Sequence, residues 1–162
     1  MSEKTQLEEL MQNEYELAKR WIETQKKEIM NHFIAIMCRN GTEEGAYVAA
    51  PWNNYAERTA CLEMMRLLFK KKNVVRYIMC SEAWFTEYEP DKPFVMPSKS
   101  THKQECLMII GADKETGERL CRTFPITRDN AGRRSVDQEI ADDKEDVRGE
   151  AFNLFDERPL HS

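Results

Sequence analysis

Residues 74–86 read VVRYIMCSEAWFT, the strongest strand signal in the chain. Two valines, an isoleucine and three aromatics in thirteen residues suit the pleated surface of a strand. Downstream, 104–111 (QECLMIIG) reads as a second strand, 113–117 (DKETG) as a turn and 119–127 (RLCRTFPIT) as the returning strand. Pro125 points to an edge position or a bulge there. Between the first two strands, 90–101 (PDKPFVMPSKST) holds three prolines and reads as a long loop, a kind of segment that often carries function.

Upstream, residues 55–71 form an expected helix. Asn54 followed by Glu57 has the form of a capping box, and the apolar residues that follow run almost all round the helix. Before it, HFIAIMC (32–38) is a short buried strand, Asn40-Gly41 a hairpin turn, and GAYVAA (45–50) the returning strand. Residues 5–30 place Leu7, Leu10, Met11, Leu17, Ala18, Trp21 and Ile22 at three- and four-residue steps, the pattern of a long amphipathic helix. The expected fold is α+β in the order α-β-β-α-β-β-β: a mainly antiparallel five-stranded sheet with both helices packed on one face.

The 162 residues suit one domain, expected over 1–128, followed by a charged, flexible tail over 129–162. Residues 128–162 hold six basic and ten acidic side chains, and 130–150 reads as a linker. The formal charge of −5 gives no long-range attraction to nucleic acid or anionic lipid. Lys70–Lys72 is the densest basic run and Arg133-Arg134 the next. No run of about 18 apolar residues suggests a membrane span, and no secretory signal is evident. The five cysteines, at 38, 61, 80, 106 and 121, have no C-x-x-C spacing and lie in apolar runs. They read as small core hydrophobes in a reducing cytoplasm, with a catalytic thiol as the sharper alternative.

Phosphate-cradling, dinucleotide-binding, zinc-protease and nucleophile-elbow motifs are all missing. A three-histidine metal site would need all of His32, His102 and His161, the last next to the C-terminus, so neither metal nor cofactor is expected. The best polar cluster is Glu82, His102 and Glu105, with Ser98 and Lys99 in the loop before it. If 74–86 and 104–112 are neighbours, these groups meet near one sheet end, and a carboxylate beside His suits general acid–base work. The plainer alternative pairs Glu82 and Glu105 with Arg76 or Arg122 as cross-strand ion pairs. In the tail, 151–155 (AFNLF) has the form of a docking peptide with Phe152, Leu154 and Phe155 as anchors. Its ending resembles the bacterial sliding-clamp-binding motif, with Ala151 in place of the usual Gln. The same residues could instead tuck onto the domain's own sheet.

Residues 74–128 resemble a family of small bacterial and bacteriophage proteins of unknown function. Ser81-Glu82-Ala83-Trp84, Pro97-Ser98, Gln104-Glu105, Asp113…Gly117 and Phe124-Pro125-Ile126-Thr127-Arg128 carry the resemblance. It implies a phage or prophage protein in the bacterial cytoplasm and brings no known activity. The expectation is a non-enzymatic module that binds a protein partner or a second copy of itself. The two helices are its dimer surfaces and the tail its outside contact. A ligand-binding or hydrolytic Glu82/His102/Glu105 corner is the second reading, and a clamp- or nucleic-acid-associated protein the third.

Overall fold

The computed structural model describes residues 3–25, 27–85, 104–140 and 154–155. They form helix α1 (Gln6–Thr24), strands β1 (His32–Arg39) and β2 (Thr42–Ala49), helix α2 (Tyr55–Lys71), and strands β3 (Val74–Phe85), β4 (Gln104–Asp113), β5 (Arg119–Arg128) and β6 (Arg134–Val136). The strands make one curled, wholly antiparallel sheet in the order β2-β1-β3-β4-β5-β6. The sheet therefore has six strands among the described residues, not five.

The additional strand lies in the segment whose composition reads as linker. Asp129 builds the turn into it: its Oδ1 accepts from the backbone N–H of Ala131 and of Arg133, each at 2.9 Å. Gly132 supplies a φ of 81°. In β6 Arg134 and Val136 are buried and Ser135 is exposed, a period-two pattern too short to stand out in a charged sequence. β5 is thus flanked on both sides, and Pro125 lies one residue beyond its last pair with β6, Ile126↔Val136.

The helices also lie on opposite faces, not one. Along β3, Tyr77 and Met79 join Phe33, Leu62, Met65 and Phe69 beneath α2. Ile78 and Cys80 join Leu7, Met11, Ala18 and Ile22 beneath α1. Alternation of side chains along a central strand demands a cover on each side once both sets are apolar. α2 matches its expected bounds, and Asn54 Oδ1 caps it by accepting from Glu57 N at 2.8 Å. α1 stops six residues short of the expected end. Gln25 turns extended, and the chain beyond gives its backbone groups to tertiary partners: Ile29 N–H donates to Glu82, and Lys27 C=O accepts from Arg134. The Asn40-Gly41 turn has φ of 52° and 78°, the left-handed pair that closes a two-residue hairpin. It brings Glu43 and Glu44 into β2 instead of the loop.

Gly111 sets how closely α1 approaches. A Cβ there would lie 2.9 Å from Leu7 Cδ1, 3.0 Å from Ile78 Cγ2 and 3.1 Å from the Tyr77 carbonyl oxygen. Leu7 can shift, but the Tyr77 carbonyl belongs to the neighbouring strand's backbone. Gly111→Ala should therefore lower stability by about 1–3 kcal/mol, the usual range for overpacking. Urea denaturation should show a lower midpoint with an unchanged slope.

Candidate functional site

Three polar groups on β3 point under α1: Arg76, Cys80 and Glu82. Arg76 is buried at one end. Its Nε donates to Asp113 at 3.1 Å, and its terminal nitrogens donate to Glu43 at 2.9 Å, Gln6 at 2.6 Å and Glu115 at 3.0 Å. Glu82, at the other end, accepts from the Arg134 guanidinium and from Ile29 N–H. Arg134 also donates to the Lys27 carbonyl at 2.8 Å. Burial still dominates and holds the Glu82 carboxyl above its ordinary 4.5, against the pull of Ile29 N–H and Arg134.

The register brings Glu82 and Glu105 onto the same face of adjacent strands, since Glu82 pairs with Leu107 and Glu105 with Trp84. Each carboxylate meets a guanidinium, but not that of Arg76 or Arg122. Arg128 grips Glu105 with two parallel bonds, of 2.9 and 2.8 Å. Arg122 instead grips Glu139, at 3.1 Å twice, and reaches Gln12 at 3.2 Å. A shallow cleft of about 450 Å³ opens beside this corner, lined by Trp84, Gln104, Glu105, Ile126, Thr127 and Arg128. His102, Ser98 and Lys99, expected to complete it, lie outside the described residues, as does Phe152 of the tail.

A second cluster occupies the middle of the α1 interface. Glu14 of α1, His32 of β1 and Cys80 of β3 are all buried, and one donor atom from each lies within 4.8 Å of the others. His32 and Cys80 are directly cross-strand. His32 Nδ1 donates to the Met30 carbonyl at 2.8 Å, and Nε2 is hydrogen-bonded to Glu14 Oε1. Burial opposes the imidazolium, but the bonds to Glu14 and Met30 and the charge of Glu14 outweigh it and hold His32 above its ordinary 6.5. Tyr47 stacks on the imidazole with ring centroids 4.8 Å apart. The Cys80 thiol is pushed well up by burial, and that of Cys106 to about 11. Little in the sequence points to this cluster. Glu14 does stand in the apolar stripe of α1, three residues after Met11 and four before Ala18, but nothing local links residues 14, 32 and 80.

The tail residues that are described fold back. Leu154 is 1% exposed in the α2-side core, and its N–H donates to the Tyr77 hydroxyl at 3.4 Å. Phe155 lies edge-on to Tyr77, with centroids 5.1 Å apart. For Leu154 and Phe155 this is docking onto the chain's own sheet.

Comparison with known proteins found no match: no protein-family model, no curated protein and no solved structure matches this chain.

Arg134 is the group that makes an ionised Glu82 tolerable under α1. Arg134→Met should cost about 3–5 kcal/mol at neutral pH, because a buried carboxylate loses its countercharge. The loss should shrink in acid. A carboxyl with a raised folded pKa contributes stability below its unfolded value, here near 4.5, and loses it as pH rises through the folded value. Without Arg134 that folded value climbs further. Urea titrations of the variant should show stability falling from pH 5 towards pH 7.5 more steeply than in the parent.

Proposed function

We propose that this protein is a non-enzymatic interaction module that pairs with a second copy of itself through the outer face of α2. One observation carries the reading: Glu57, Ala60, Met64, Leu67 and Lys71 are all exposed and follow one another at steps of three, four, three and four. That spacing is the seam of a helix pair. Met64 is 65% exposed and Leu67 55%, although both belong to a helix whose opposite side is already buried by Leu62, Met65 and Phe69.

The seam is also complementary to itself. Glu57 and Lys71 lie seven residues on either side of Met64, about two turns in each direction. An antiparallel pair with its two-fold axis at Met64 sets each Glu57 against the other copy's Lys71. It also sets the small Ala60 against the Leu67-Leu68 pair of the other copy. A two-fold interface requires such a self-complementary patch. The cytoplasmic phage or prophage setting implied by residues 74–128 agrees with a protein that works by binding. Among the described residues no helix is long and apolar enough to cross a membrane.

A small-ligand or hydrolytic site at the Glu82/His102/Glu105 corner is the second reading, favoured by the cleft beside Trp84. Against it, each of the two carboxylates is held by an arginine. Nucleic-acid binding through Lys70–Lys72 is the third, and on this reading Lys71 serves the seam instead.

Light scattering over a concentration series should show the full chain approaching twice its monomer mass. Met64→Glu sets two carboxylates face to face at the axis and should weaken pairing more than about tenfold, since opposed like charges cost several kcal/mol. Lys71→Glu should weaken it less. A chain that stays monomeric up to its solubility limit overturns the reading. So does a dimer that survives Met64→Glu.

A further inference from the structure

We infer that Glu14, His32 and Cys80 form a binding site for a thiophilic divalent cation of the Zn²⁺ class. The ligands are a Glu14 carboxylate oxygen, His32 Nε2 and the Cys80 thiolate. The argument begins at the Met30 carbonyl, which can only accept a hydrogen bond, so Nδ1 of His32 must carry a proton. The Nε2 lone pair then faces a carboxylate oxygen of Glu14. Two lone pairs cannot share that line without a positive centre between them, either a proton or a metal ion.

A proton needs only those two partners. The third donor, Cys80 Sγ, has no part in holding a proton there, yet it lies within 4.8 Å of both. One oxygen, one nitrogen and one sulfur form a donor set that suits Zn²⁺, and three protein ligands leave a fourth tetrahedral position for water. At Zn²⁺ bond lengths the ligand atoms of a tetrahedral site stand about 3.5 Å apart, between the hydrogen-bond contact of Glu14 with His32 and the 4.8 Å that bounds the cluster. The bond from Nδ1 to a backbone carbonyl is the outer-shell contact that fixes the tautomer of metal-ligating histidines.

Charge balance agrees. A divalent ion entering the site displaces two protons, one from Nε2 and one from the Cys80 thiol, and the net charge of the buried cluster does not change. The three ligands come from α1, β1 and β3, and a bound ion would cross-link the first helix to the centre of the sheet.

Co²⁺ is the probe, added to the reduced full-length chain. One equivalent should bind, with thiolate-to-cobalt charge transfer in the near ultraviolet and the visible bands of a tetrahedral ion. Zn²⁺ should abolish both. Cys80→Ser should remove the charge-transfer band, and Glu14→Gln should keep the band but weaken binding at least about tenfold. A chain in which Cys38, Cys61, Cys106 and Cys121 are replaced by serine or alanine should retain the band, a result that does not depend on whether Cys80→Ser folds. The inference is overturned by a wild-type chain with no thiolate band, by a band that persists in folded Cys80→Ser, or by its loss from a folded chain that keeps Cys80.

Discussion

The strand β3 is buried on both sides and yet carries Arg76, Cys80 and Glu82 onto the α1 side. A buried charge without a partner costs several kcal/mol, so Arg76 and Glu82 dictate what must surround them. Arg76 gathers Gln6 from α1, Glu43 from β2, and Asp113 and Glu115 from the β4–β5 hairpin. Glu82 draws in Arg134 and the chain leaving α1. Between them His32 and Glu14 neutralise one another beside Cys80. The position of α1, the early end of that helix and the existence of β6 all answer this one constraint.

The opposite face works by other means. Beneath α2 the packing is aromatic and aliphatic, centred on Phe33, Phe69 and Tyr77, and Leu154 joins it from the tail. Apolar packing is tolerant of geometry, whereas paired buried charges are not. The α1 face therefore fixes register and the α2 face supplies bulk. The excess apolar character of α2, already visible in its sequence, divides into a buried stripe and an exposed seam.

Local signals were legible in the sequence wherever one residue type does one job. Asn54 capped α2, Asn40-Gly41 closed the first hairpin, and the β-rich run at 74–86 became the central strand. What was not legible depended on pairing at a distance. β6 has only three residues, held by Glu82 and by β5, and its local composition is that of a loop. The two-faced sheet was hidden because a continuous apolar run does not say how its residues divide between sides. Of the candidate site, the shared face of Glu82 and Glu105 followed from strand pairing. Their true partners Arg134 and Arg128, and the Glu14–His32–Cys80 cluster, needed the tertiary fold.

The placement of α1 also has a kinetic side. The helix and the residues flanking it close contacts across 107 to 113 residues of chain: the side chains of Thr5 with Glu118, Gln12 with Arg122 and Glu23 with Val136 N–H, and the Lys27 carbonyl with Arg134. During synthesis the helix leaves the ribosome first, but the surface that covers it is finished only when β6 has emerged. Contacts of such long range are slow to form because the loop entropy comes due before they do. Until then the α1 side of β1 and β3 stays open, with Phe33 and Tyr77 on the other side already able to gather under α2. Folding of this chain thus runs from its central strands outward, and its first helix is among the last elements to lock.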